Sequence, residues 1–135
     1  MINSSESLIY VVDDDEDEHC LLQTIFSRYH QDCRLKCFNN GAELFTQLTH
    51  QLDGRLPDLI LLDLHMPVLN GYEVLQLLKK NSDWWSIPVV VRTLSESDSE
   101  VNRCHDLGSN AFVVKSANYR QLANSMSALR YMCFN

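Results

Sequence analysis

Three aspartates stand where apolar runs stop. Leu8-Ile9-Tyr10-Val11-Val12 ends in Asp13-Asp14, and Leu59-Ile60-Leu61-Leu62 ends in Asp63. Two later runs also end in polar groups: Ile87 to Arg92 in Thr93, and Ala111 to Val114 in Lys115. Carboxylates brought together repel one another and hold protons more tightly, and a divalent cation relieves this. Oxygen ligands alone, with no His or Cys at the run ends, favour Mg²⁺ over zinc. A lysine and a hydroxyl opposite such a cation suit the remaining oxygens of a phosphoryl group. Aspartate can itself be the nucleophile and form an aspartyl phosphate. This set of residues points to Mg²⁺-assisted phosphoryl transfer onto Asp63. No glycine-rich phosphate loop occurs, which argues against a nucleotide as donor.

The chemistry requires the run ends to meet, so the elements must place them together. Short apolar runs of this kind read as strands buried on both faces. Pro67 and Gly71 break regular structure after Asp63. Cys33 to Phe38 alternates, with Arg34 and Lys36 opposite Cys33, Leu35 and Cys37, and reads as a half-exposed edge strand. Between the strands run helical stripes. Leu21, Leu22, Ile25, Phe26 and Tyr29 form the first, and Leu44, Phe45, Leu48 and Leu52 the second. Val74, Leu75, Leu77 and Leu78 form the third. The fourth, with only Val101, Cys104 and Leu107, is weak; Ser95 to Ser99 offer its N-cap and Gly108 its end. Leu122, Met126 and Leu129 mark the last. Strand and helix alternate five times, which implies a parallel sheet with right-handed crossovers and helices on both faces. Every strand then points its carboxyl end at one edge, where open α/β sheets bind ligands. That edge collects Asp13, Asp14, Asp63, Thr93 and Lys115. Alone, Asp63 reads equally well as a turn or helix-capping residue, and the clustering favours the chemical role.

Composition sets the outer limits. The 135 residues form one expected domain with a core over about 8–130 and no output domain. Eleven basic against eighteen acidic residues give a net charge of −7, which argues against a nucleic-acid surface, since that needs a basic stripe. No apolar run approaches a membrane span, and Met1 to Ser7 shows no signal-peptide pattern, so the expected location is cytoplasmic. The five cysteines are Cys20, Cys33, Cys37, Cys104 and Cys133, an odd number without a zinc-ligand spacing. They read as small buried hydrophobes in a reducing compartment. Asp15 to Glu18 read as a helix N-terminus, where acids favour the dipole. Trp84-Trp85 reads as packing.

Four segments in order carry a resemblance: Val12-Asp13-Asp14, Leu62 to Pro67 with Asn70-Gly71, Val91-Arg92-Thr93, and Phe112 to Lys115. Together they resemble the receiver domain of bacterial two-component response regulators, over nearly the whole chain. The resemblance implies a flavodoxin-like, doubly wound (βα)5 three-layer sandwich with a parallel sheet of order 2-1-3-4-5. It implies Asp63 as phosphoacceptor, with Asp13, Asp14, Asp63 and the His65 backbone carbonyl holding Mg²⁺. It implies Lys115 as the phosphate-pairing lysine, and Thr93 with Phe112 as a hydroxyl and aromatic switch pair. The donor would be a sensor histidine kinase or a phosphotransfer protein in a phosphorelay. Output would be phosphorylation-dependent binding of a downstream protein, by a monomer or a phosphorylation-dependent homodimer. The only catalysis expected is the domain's own phosphorylation and dephosphorylation.

Three residues depart from the family pattern. Leu94 follows the switch Thr where a small residue is usual, and Ser116 follows Lys115 where the family has proline. Arg92 puts a charge into a strand that should be buried. These departures suggest an alternative, a pseudo-receiver that binds partners without cycling. A Mg²⁺-dependent phosphatase of the haloacid-dehalogenase type also uses an aspartate nucleophile. That family has a second Asp two residues on, where this chain has His65.

Overall fold

The computed structural model describes residues 6–94, 97–115 and 118–134, the last three by their backbone. Strands and helices alternate: β1 (Ser7–Val12), α1 (Glu16–Tyr29), β2 (Cys33–Phe38), α2 (Gly41–His50), β3 (Leu59–Asp63), α3 (Gly71–Lys80), β4 (Val89–Thr93), α4 (Asp98–Asp106), β5 (Ala111–Val114) and α5 (Tyr119–Phe134). The strands form one parallel sheet of order β2-β1-β3-β4-β5. This is the expected flavodoxin-like order, and it puts the acidic ends of β1 and β3 side by side.

Strand alternation sends side chains to two cores, one on each face. Tyr10, Val12, Ile60, Leu62 and Val91 pack on one face with Leu44 and Leu48 of α2 and Val74, Leu75 and Leu78 of α3. Ile9, Val11, Leu59, Leu61 and Val90 pack on the other with Leu22, Ile25 and Phe26 of α1 and Leu122, Met126 and Leu129 of α5. The leucines of β3 are fully buried. Truncating any one to alanine should cost about 2–5 kcal/mol. β2 and β5 are the sheet edges and are only partly covered.

The helix ends follow local chemistry. Asp15 caps α1 by accepting from the Asp17 amide, with Glu16, Asp17 and Glu18 in the first turn near the positive end of the dipole. Asn70 and Glu73 form a reciprocal capping box on α3. Ser97 caps α4, and Gly108, at φ 104, ends it. Of the α4 residues only Cys104 is buried, as the weak stripe implies.

Several expected inward residues lie outside. Leu21, Tyr29 and Leu77 are exposed, because each falls off the centre of its helix's buried arc. Leu52 is exposed because α2 stops at His50 and Gln51 turns left-handed at φ 45. β4 begins at Val89, two residues later than the apolar run, since Pro88 has no amide to give to the ladder. Trp84 stacks on Phe45, with centroids 5.6 Å apart, while its neighbour Trp85 is exposed. Cys20, Cys33, Cys37 and Cys104 are free thiols, and none joins a metal-ligating cluster among the described residues.

Candidate functional site

The carboxyl edge of the sheet holds the predicted residues together. Asp63 is the last residue of β3 and only 5% exposed. Asp13 follows β1 directly and is also buried, while Asp14 faces solvent. Carboxylate oxygens of Asp13, Asp14 and Asp63 all lie within 4.8 Å of one another. The Lys115 ammonium reaches across from the end of β5, 2.7 Å from Asp13 Oδ2 and 3.4 Å from Asp63 Oδ1. A cleft of about 430 Å³ opens above them, lined by Asp14, Asp15, Glu16, Asp63, His65, Leu94 and Lys115.

The electrostatics are under-compensated at Asp63. Burial first, then the Asp13 charge, pushes its carboxyl up to about 6; Lys115 and the His65 amide pull the other way without prevailing. Mutual repulsion of the acids is therefore the second cause rather than the first. The His65 backbone N–H donates to Asp63 Oδ1 at 3.3 Å. The cluster thus fits a divalent cation on its own chemistry: three oxygen ligands and a carboxylate that ionises reluctantly without more positive charge. The His65 imidazole itself is exposed, 3.6 Å from Glu100 of α4.

Thr93 ends β4 and is fully buried, and its Oγ1 has no hydrogen-bond partner among the described residues. Phe112 is half-buried in β5, against the core on the α4 side. Leu94 is 79% exposed at the mouth of the cleft. Ser116 and Ser95 lie outside the described residues.

The response regulator receiver domain family model matches residues 9–127. The chain belongs to that family. Response regulator Rcp1 of Synechocystis sp. is 33% identical over 118 residues, covering 85% of this receiver and 80% of Rcp1. A probable methanogenesis regulatory protein, FilR2 of Methanothrix harundinacea, is 30% identical over 125 residues, 91% of this chain and 81% of FilR2. Among solved structures, the Mn²⁺-bound form of Rcp1 superposes with a TM-score of 0.84 at 28% identity, covering 96% of each chain. The phosphorylated cyanobacterial phytochrome response regulator RcpA superposes at 0.87 and 28%, covering 96% of this chain and 95% of that one.

The receiver also relies on residues whose role the sequence pattern hides or shows only as punctuation. Gly71, which reads as a loop opener, is required by close approach: a Cβ there would sit 2.4 Å from the Asp63 carbonyl oxygen and 2.7 Å from Leu64 Cα. Its amide donates to the Leu64 carbonyl at 2.9 Å and folds the loop back onto the end of β3. Within that loop Val68 is held at φ 68, a conformation that costs a β-branched residue of order 1–3 kcal/mol. His19 Nε2 contacts the Asp13 carbonyl at 2.7 Å and pins the end of β1. Its sequence signal is spacing: three and seven residues before Leu22 and Phe26, it continues the inward stripe of α1, but a histidine within an acidic stretch reads as solvated.

Proposed function

We propose that Asp63 accepts a phosphoryl group from a phosphohistidine on a sensor kinase or phosphotransfer protein, with a divalent cation, Mg²⁺ in the cell, at Asp13, Asp14 and Asp63. The observation that carries this reading is one buried carboxylate held up to about 6, among two more carboxylates and a lysine, at the floor of an open cleft. The relatives support it: Rcp1 has been solved in a Mn²⁺-bound form, and RcpA in a phosphorylated one.

In the transfer, an Asp63 carboxylate oxygen forms the new O–P bond while the donor's N–P bond breaks. The departing imidazole keeps that electron pair. When bound, the cation supplies positive charge against the phosphoryl oxygens and lets Asp63 ionise. Asp13 and Asp14 hold it, and the His65 carbonyl is assigned as a further ligand. Lys115 is positioned to exchange its contact with Asp63 for a phosphoryl oxygen. Thr93, with an unpartnered buried hydroxyl one strand away, is free to turn toward the new anion and leave room for Phe112. Output then runs through a partner that distinguishes the two surfaces.

The test is intact mass after incubation with Mg²⁺ and acetyl phosphate, and then with a phosphorylated kinase or phosphotransfer protein. One added phosphoryl group is expected on the wild type and none on Asp63→Asn. No labelling by any donor would replace this reading with the non-cycling interaction module, for which Leu94 at the cleft mouth is the visible argument.

A further inference from the structure

Arg92 lies in β4 between Val91 and Thr93, level with Asp63 on the neighbouring strand, and is 1% exposed. Val90, two residues earlier, packs among α1 and α5 residues, so strand alternation points Arg92 to that face. Its Nη2 lies 3.2 Å from Oε2 of Glu18, the third residue of α1. Its Nε is buried without a hydrogen-bond partner among the described residues. A buried ion pair with an unsatisfied nitrogen is a poor stabiliser, and a well-packed apolar side chain would serve the core as well or better. Core packing therefore does not account for the arginine.

The first turn of α1 supplies a reason. Six acids in a row, Asp13 to Glu18, repel one another there. The buried apolar anchors of α1 begin only at Leu22. Ahead of them the helix is tied down by polar contacts: His19 to the Asp13 carbonyl, and Glu18 to Arg92. The same turn is coupled to the cation cradle, because the Asp15 amide donates to Asp13 Oδ1 at 2.9 Å.

We propose that Arg92 is a positioning residue. By holding Glu18 it fixes the first turn of α1 against β4, and with it the Asp13–Asp14 side of the cation cradle. Arg92 touches neither cation nor phosphoryl group; it acts through Glu18. The inference rests on the reading of Asp13, Asp14 and Asp63 as the cation site.

The test uses the full chain with Arg92→Met combined with Glu18→Gln. The double variant loses one positive and one negative charge, so the net charge at the site is unchanged and a change in affinity reports geometry. Mn²⁺ affinity is read by electron paramagnetic resonance, stability by urea midpoint, and the first turn by amide exchange. The double variant is expected to unfold at the wild-type midpoint or later, yet to bind Mn²⁺ about 10-fold more weakly, as loss of a ligand-orienting partner does. Exchange over residues 14–19 should quicken. Wild-type Mn²⁺ affinity in the folded double variant would overturn the proposal. If that variant fails to fold, Arg92→Leu combined with Glu18→Gln, which likewise leaves the net charge unchanged, decides in the same way. Asp63→Asn is measured in parallel: unchanged Mn²⁺ binding there would remove the cation site itself, a failure distinct from that of Arg92.

Discussion

Two buried aspartates sit at different places in this receiver and behave in opposite ways. Asp53, in the turn after α2, is 8% exposed; Asp63, at the end of β3, is 5% exposed. Burial pushes both carboxyls up, yet Asp53 ends below the ordinary range. A hydrogen bond from Tyr10 and the charges of Lys36 and Arg34 outweigh its burial. The Tyr10 hydroxyl donates at 2.6 Å, the Gln47 amide at 2.8 Å, and Arg34 and Lys36 approach to 3.3 and 3.5 Å. Asp63 has Lys115, shared with Asp13, and one backbone amide. Near-equal exposure therefore says little about role: Asp63 lies deeper in the protein and has fewer partners to offset its burial. A carboxylate whose demands are met from all sides holds the structure together, while one left short of positive charge is ready to take a ligand.

The largest effect that should separate the two is chemical. Asp63→Asn is expected to abolish phosphoryl labelling and to weaken divalent binding, with the fold kept. Asp53→Asn should leave labelling by acetyl phosphate within about twofold and instead lower stability by about 1–3 kcal/mol, the cost of unbalancing a buried hydrogen-bonded charge. Labelling and urea denaturation on both variants check this. Loss of labelling in Asp53→Asn without unfolding would end the contrast.

Lys115→Ala comes next. Lys115 lies 2.7 Å from Asp13 and 3.4 Å from Asp63, so its removal takes away positive charge from both carboxylates. Divalent binding should hold or tighten, because two cations no longer compete for the same oxygens. Labelling, or the spectral change that follows it, should fall by about 10-fold or more, what losing a charge-assisted contact to the phosphoryl group costs. Lys36→Ala beside Asp53 is the matched control and should leave labelling alone.

The contrast also marks how far the sequence could be read. Asp63, Asp13, Asp14, Thr93 and Lys115 were legible because each ends an apolar run, and parallel topology forces run ends to one edge. Strand order came from the family resemblance; the five-fold alternation implied only a parallel sheet with helices on both faces. Asp53 was not legible: it follows Leu52 in a polar turn, and apart from Gln47, six residues back in α2, its partners Tyr10, Arg34 and Lys36 come from β1 and β2. Glu18 was hidden in a run of acids that reads as a solvated helix start. Arg92 stood out as a charge in a buried strand, but its partner, 74 residues away, did not. Local pattern shows which backbone groups meet; long side chains that cross between elements leave no periodic trace.

Stability against pH gives a smaller, signed test without divalent ions. Asp63 holds its proton more tightly folded than unfolded, with a folded value of about 6. Its contribution is full below about pH 4 and is lost as pH rises through 6, at a cost of about 2–3 kcal/mol at most. Asp53 has the reverse sign: its lowered value gives stability that is present at neutral pH and lost in acid, below the ordinary carboxylate range. Urea midpoints from pH 3 to 8 should therefore show Asp63→Asn removing the decline between about 4 and 6.5. Asp53→Asn should flatten the acid limb instead. Saturating Mg²⁺ should restore wild-type stability above pH 6 and stabilise Asp63→Asn less, because that variant binds the ion more weakly.

The smallest expected effect concerns access to Asp63, which Asp53 has no need of. Leu94 follows Thr93 at the cleft mouth and is 79% exposed, so packing against α4 does not explain it. Leu94→Ala should change stability by less than about 0.5 kcal/mol, as surface substitutions do. Its isobutyl group stands beside the route by which a donor or a water must reach the acceptor. Asp13 and Asp14, proposed for the cation, and Lys115, proposed for the phosphoryl group, meet the site from β1 and β5, so shortening Leu94 leaves them in place. Both labelling by acetyl phosphate and loss of phosphate by hydrolysis should then quicken by about two- to fivefold, a modest easing of approach rather than a change in bonding. Because both rates rise together, the steady labelled fraction should move less than either. Stopped incubations read by intact mass give the two rates separately. If only the forward rate rises, Leu94 screens the donor and not the water; if neither moves, the cleft mouth is already open, and Leu94 plays no part in access.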